Sequence, residues 1–173
     1  MDRLTLVEQK IAELLKTIDN TVVAPVGDYQ YYTRTGQVDV EDESLADALN
    51  DNDLNTVNYL VEHDGDEVPT SYTYGQNAYA NRVQFKITAR VKNINTSSSP
   101  RKDIRVRMNE VLGDLKYLFN ENYSLGRVAE LALYNGSSRV IYPSENSITT
   151  GELVFKLRVD YMQRGNHPDK LAC

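Results

Sequence analysis

Two stretches of strict alternation bracket one helical stretch, and that arrangement restricts the fold more than any other feature of the chain. Val83, Phe85, Ile87, Ala89 and Val91 alternate with Gln84, Lys86, Thr88 and Arg90, and Leu153, Phe155, Leu157, Val159 and Tyr161 repeat the pattern later. A period of two places every apolar side chain of such a run on one face of a strand. Between the runs, Ile104, Met108, Val111, Leu112, Leu115, Leu118 and Phe119 recur at three- and four-residue steps, which is one face of a helix. Ser99 is a natural N-cap, and Pro100 suits the first turn, where its missing N–H costs nothing. A one-faced helix between one-faced strands predicts a helix laid on one side of a sheet.

The remaining elements follow from shorter signals. Thr5-Leu6-Val7-Glu8 fits a capping box, and Leu6, Val7, Ile11, Leu14, Leu15 and Ile18 supply the stripe of a first helix ending near Asp19-Asn20. Thr21 to Tyr32 reads as extended, bent at Pro25 and Gly27, with Tyr29, Tyr31 and Val38, Val40 flanking a loose hairpin at Thr33 to Gly36. Val57 to Val61 and Val68 to Tyr74 predict a second hairpin turning at Asp64-Gly65. Arg127 to Tyr134 and Arg139 to Tyr142 predict a third at Asn135-Gly136. Glu41 to Asn55 suits a short helix at Ser44 to Leu49 or a loop, and the segment after Arg164 suits a tail. The expected class is α+β: a mainly antiparallel sheet with two helices on one face and an extended hairpin or insertion over 21–81. All of it falls within one domain, 1–173.

Charge is divided unevenly along the chain. Between Thr35 and Asn81 there is no lysine or arginine but 11 of the 25 acidic residues, so the rest of the chain is mildly basic although the net charge is −6. Seven of the 12 tyrosines lie between Tyr29 and Tyr79. Tyrosine suits both half-buried strands and surfaces that meet another protein. Cys173 is the only cysteine, which excludes an intramolecular disulfide or a cysteine-based zinc site. No run is apolar and long enough to cross a bilayer, and Met1-Asp2-Arg3 leads directly into an amphipathic segment instead of a signal sequence.

Signals for chemistry are sparse. His63 falls in the expected turn at Asp64-Gly65 and His167 in the tail, with no second histidine at a metal-ligand spacing. Neither a glycine-rich phosphate loop nor a nucleophile elbow is present. Asp51, Asp53, Asn55 and Glu62 occupy the first, third, fifth and twelfth positions of a calcium loop, but Thr56 stands where the sharp turn needs glycine. No basic stripe interleaved with aromatics favours nucleic acid. The expectation is a non-enzyme, with no catalytic, cofactor-binding or metal-binding residue.

In order and pattern the elements resemble the tail terminator, or tail completion, proteins of long-tailed bacteriophages. The residues that carry the resemblance are the helix Leu6 to Ile18, the strand Val83 to Val91 and the helix Ile104 to Phe119. Tyr123-Ser124-Leu125-Gly126-Arg127-Val128, the Asn135-Gly136 turn, the strand Leu153 to Tyr161 and His167-Pro168-Asp169 complete it. The resemblance leaves Thr21 to Asn81 unmatched. It implies a virion structural subunit that forms a hexameric ring on the last ring of the tail tube, halts tube polymerisation and joins the tail to the head. The implied partners are other copies of the chain, the tail tube protein and a neck or head completion protein, with DNA passing through the channel without specific binding. A ring needs two complementary surfaces on each subunit. Asp39, Glu41, Asp42 and Glu43 on one side, with Arg105, Arg107, Arg127 and Arg139 on the other, are the candidate interface residues. The acidic group also suits the lining of the channel. Alternative readings are a neck or head–tail connector of the same assembly, or a small ligand-binding α+β domain.

Overall fold

The computed structural model describes residues 2–40, 56–73, 78–94, 100–142 and 148–164. In chain order the elements are α1 (Arg3–Leu15), β1 (Thr35–Val40), β2 (Val57–His63), β3 (Val68–Thr73), β4 (Ala78–Ile94), α2 (Pro100–Glu121), a short 3₁₀ turn (Leu125–Arg127), β5 (Leu131–Ile141) and β6 (Ile148–Arg164). These strands make one sheet in the order β1-β2-β4-β6-β5, with β3 also paired to β4. Every pairing is antiparallel except that of β1 with β2.

The spine is the β4–β6 pair, in register from Ala78↔Arg164 to Ile94↔Ile148. Its two alternating runs meet on one face: Val83, Phe85, Ile87, Ala89 and Val91 are buried, as are Leu153, Phe155, Leu157, Val159 and Tyr161. Helix α2 packs on that face through Ile104, Met108, Val111, Leu115, Leu118 and Phe119, all at most 2% exposed. Phe119 stacks on Phe155 with ring centroids 5.7 Å apart. Helix α1 covers β1 and β2 through Val7, Ile11 and Leu15, and the same apolar core joins both helices. The fold is therefore α+β, with both helices on one face of a mainly antiparallel sheet.

Four local expectations are corrected. The cap of α1 is Asp2, not Thr5: its carboxylate accepts from Thr5 N–H at 2.7 Å, and Glu8 is buried instead of reaching back. Thr33 to Gly36 is no hairpin, because β1 lies parallel to β2 and the tyrosines before it are engaged by α2. The chain does not reverse at Asp64-Gly65 either. Strand β2 pairs with β4 from Asn58↔Arg90 to His63↔Phe85, and β3 continues along the same strand from Val68↔Arg82 to Thr73↔Ala78. Gly65, at φ 99°, sits in a kink between two collinear strands. Likewise β5 runs straight through Asn135-Gly136: Tyr134 faces Leu157 and Ser137 faces Phe155, so two residues oppose Lys156 alone. Gly136, at φ 105°, permits this bulge. Both turn signals supply positive φ inside strands whose long partners hold them straight.

The other sheet face carries ion pairs between neighbouring strands. Arg82 makes two bonds to Asp160 at 2.8 and 3.0 Å, Lys86 meets Glu62 at 2.8 Å, and Arg90 meets Glu152. Asn135 Nδ2 donates to Gln84 Oε1 at 2.6 Å and Gln84 Nε2 donates to Asp64 Oδ2 at 2.7 Å. The β5 bulge and the β2–β3 kink are thus joined through one glutamine.

Candidate interaction surface

The long loop between α1 and β1 is held against α2 by one buried carboxylate. Asp114 is fully buried on the flank of α2. Its oxygens accept from Tyr29 Oη at 2.8 Å, Thr33 N at 2.9 Å, Thr33 Oγ1 at 2.6 Å and Tyr32 N at 3.1 Å. Such charge-assisted bonds are stronger than neutral ones and satisfy an ion that burial would otherwise penalise. Tyr29 also stacks on Tyr117, with centroids 4.0 Å apart and planes 12° from parallel, and Tyr31 meets the same ring edge-on. Burial, and then the bond to Asp114, pushes the Tyr29 hydroxyl above its ordinary pKa. Of the expected tyrosine cluster, Tyr59 is wholly buried, Tyr29 and Tyr31 are half-buried and Tyr32 is exposed.

Beyond these anchors the loop displays an apolar tip. Val22 and Val23 are 64% and 85% exposed and Val26 is fully exposed. The tip is nevertheless fixed by hydrogen bonds. Gln30 accepts from Ala24 N at 2.8 Å and donates to Val22 O at 2.9 Å, Asn20 Nδ2 donates to Tyr32 O, and Asp28 N closes a turn onto Pro25 O. Gly27 takes φ 94° in that turn, a conformation at little cost only for glycine.

A groove lies between the end of α2 and β5. Lys116, Tyr117, Asn120 and Tyr123 line it from the helix end, and Leu133 and Tyr134 from β5, around a volume of about 460 Å³. Lys116 and Asp114 lie about 200° apart round the helix axis, but Tyr117, which lines the groove, also stacks on Tyr29, so groove and loop anchor meet at that ring. Lys116 Nζ sits 4.6 Å above the Tyr134 ring, whose other neighbour is Phe155 at 4.9 Å. Tyr123 and Leu133 are 56% and 41% exposed.

The candidate interface charges are dispersed. Asp39 stands opposite Leu60, on the sheet face away from the helices, while Glu41, Asp42 and Glu43 lie outside the described residues. Arg105 is exposed on α2, and Arg107 lines a cleft at the loop base with Arg34 and Glu110, where burial lowers its pKa. Arg139 pairs with Leu153, two residues from Gly151, which packs under Ile104 and Met108, so it belongs to the same end of α2. Arg127 lies past the other end, in a turn where Leu125, Gly126 and Arg127 all have positive φ. Among the described residues Arg105, Arg127 and Arg139 form no ion pair. Most basic residues of β4 and β6 are instead paired across the sheet.

His63 belongs to β2 and not to a turn, with Nε2 3.5 Å from Glu8 Oε1 and its ring edge-on to Phe85. Of the calcium-loop pattern, Asp51, Asp53 and Asn55 lie outside the described residues, and Glu62 is paired with Lys86. No group of three or more potential metal ligands gathers among the described residues. No described helix is long and apolar enough to cross a membrane. The sequence signal for the tip was available in the run Val22-Val23-Ala24-Pro25-Val26, apolar yet broken by proline. Nothing local marks Asp114, whose partners are more than 80 positions away. Compared with protein-family models and with curated proteins, the sequence matches none.

Proposed function

We propose that this chain is a structural subunit of a long-tailed phage virion, a tail terminator without catalytic function that closes into a ring at the head-proximal end of the tail tube. The observation that supports this reading best is the order and layering of the elements. A first helix and a second share one sheet face, and the second is followed by strands that finish the sheet; this order matches the resemblance apart from its hairpin at Asn135-Gly136, which is a bulge within β5. The ring would present one surface to the tube and another to the neck, with DNA passing through its centre. Asp39 and the arginines on α2 lie on different sides of the sheet, as a subunit with two unlike surfaces requires.

Native mass spectrometry of the full chain tests the reading. A closed ring, hexameric by expectation, that attaches to purified tail tubes and stops their growth supports it; a monomer at every concentration overturns it. Neutralising Asp39, Glu41, Asp42 and Glu43 together then separates two roles for the acidic segment. Weaker assembly, with wild-type rings lost as salt rises, assigns it to the subunit interface. Unchanged assembly with defective DNA delivery assigns it to the channel.

A further inference from the structure

Asn135 is the only asparagine of the chain that glycine follows, and the fold leaves that pair open to attack. The ladder between β5 and β6 skips Asn135 and Gly136, and β5 ends the sheet, so no described strand pairs its outer side. Asn135 is exposed, and a Cβ built on Gly136 would meet nothing within 4 Å. A backbone nitrogen reaches the side-chain carbonyl of a preceding asparagine most easily when its own residue is glycine, which has no Cβ to hinder the approach. One contact opposes that approach: Asn135 Nδ2 donates to Gln84 Oε1 at 2.6 Å.

We propose that Asn135 is a deamidation site guarded by Gln84. In the reaction the Gly136 backbone nitrogen gives up its proton to water or hydroxide and attacks Asn135 Cγ. A C–N bond forms, the bond from Cγ to Nδ2 breaks, and Nδ2 leaves as ammonia. Water then opens the succinimide ring at either carbonyl, giving aspartate or isoaspartate. Nothing is oxidised or reduced. The bond to Gln84 holds the amide in place and is released when Cγ turns toward Gly136, which is how it slows the attack.

The product dismantles the guard. The asparagine amide donates to Gln84 Oε1, whereas a carboxylate only accepts. Gln84 Nε2 is already given to Asp64 Oδ2 at 2.7 Å. Whichever way the Gln84 amide turns, its oxygen then faces a carboxylate, so one of the two bonds is lost. The new charge also arises opposite Lys156, whose Nζ lies 3.6 Å from Asp64. Deamidation therefore detaches the β5 bulge from the β2–β3 kink and adds negative charge at the sheet edge, a change that accumulates with the age of the chain. It holds for a monomer and a ring alike.

The test incubates the full chain in mildly alkaline buffer, with Q84A and the free peptide Val128–Arg139 alongside. Trypsin releases that same peptide from the protein, and Asn135 is its one side-chain amide, so its gain in mass reports this site alone. Enzymatic methylation identifies the isoaspartate. Wild type should deamidate more slowly than the free peptide, and Q84A about fivefold faster than wild type, the factor that corresponds to one neutral hydrogen bond. Gln84 lies on the polar face of the sheet, and circular dichroism at the incubation temperature verifies that Q84A stays folded. N135D stands in for the product and should lower the melting temperature of wild type more than that of Q84A, because both changes act on one link. Equal rates in wild type and Q84A overturn the guard. No mass gain in either while the peptide reacts overturns the site itself, and equal losses from N135D in both backgrounds overturn the link through Gln84.

Discussion

Thr33 Oγ1 donates to Asp114 Oδ2 at 2.6 Å, with both side chains buried, and so ties the last turn of the α1–β1 loop to the middle of α2. Replacing Asp114 with alanine would leave the Thr33 hydroxyl, Tyr29 hydroxyl and two backbone N–H groups without their acceptor. The expected loss is about 3 kcal/mol or more by urea denaturation, since hydrogen bonds to a charged group contribute roughly 1.5–3 kcal/mol each. Limited proteolysis should show new cleavage between Thr21 and Asp28. An unaltered cleavage pattern would mean the loop is held by other contacts.

Leu115 is fully buried on the sheet-facing side of α2, whereas Leu133 is 41% exposed on β5. Leu115→Ala should therefore destabilise by about 2–5 kcal/mol through lost transfer energy and the cavity left behind. Leu133→Ala in the monomer should stay within about 0.5 kcal/mol. Equal melting temperatures for the two variants would contradict this core.

Arg127 holds φ 72° immediately after Gly126 at φ 66°. A left-handed residue with a side chain costs on the order of 1 kcal/mol that glycine does not incur. Arg127→Gly should thus raise the unfolding free energy by up to about 1 kcal/mol, read from urea denaturation. A clear loss of stability would show that the guanidinium makes a contact worth more than the backbone strain.

Burial, and secondly the Asp114 charge, raise the Tyr59 hydroxyl above its ordinary pKa, and burial does the same for Tyr161. The folded chain keeps these protons where the unfolded chain has lost them. Their contribution is complete below the ordinary tyrosine value of about 10 and declines as pH rises above it. Urea midpoints at pH 8, 9, 10 and 11 should hold steady and then fall. For Tyr59 alone the slope approaches about 1.4 kcal/mol per pH unit, and Tyr59→Phe should remove that share.

Glu62 bonds to Lys86 at 2.8 Å on a partly exposed sheet face. Glu62→Gln should cost no more than about 1 kcal/mol, the range of such pairs. Calcium and chelator should leave the melting temperature of wild type unchanged. A saturable calcium response that Glu62→Gln abolishes would establish the loop pattern after all.

Period-two and period-three-to-four patterns specified β4, β6 and both helices because one face of each is buried against the others, so burial and sequence period coincide. The hairpin signals failed where a local preference met a longer partner. Asp64-Gly65 and Asn135-Gly136 do adopt positive φ at glycine, but β4 and β6 each supply 17 residues of ladder. Those ladders hold the strands straight through the glycines. The Asp114 anchor was illegible for a different reason. Asp114 borders the apolar stripe and reads as one more polar residue of an amphipathic helix, since nothing within a few positions reveals the donors that the loop brings.

The extra residue in β5 is a half-period phase shift in an edge strand. Ahead of it Ala132 and Tyr134 point toward the helices; behind it Arg139 and Ile141 do, while Val140 and Tyr142 point away. One strand consequently delivers an aromatic ring to each side of the sheet, Tyr134 above Phe155 and Tyr142 with its hydroxyl on Glu152 at 3.0 Å. A one-residue slip of the second half of β5 against β6 would send Val140 and Tyr142 inward and Arg139 outward, whereas deleting Gly136 would remove the bulge and leave both halves on their present faces. The edge of the sheet thereby offers a tyrosine on each face, with the extra residue at Asn135-Gly136 taken up by a bulge and not by a change of register between the two halves.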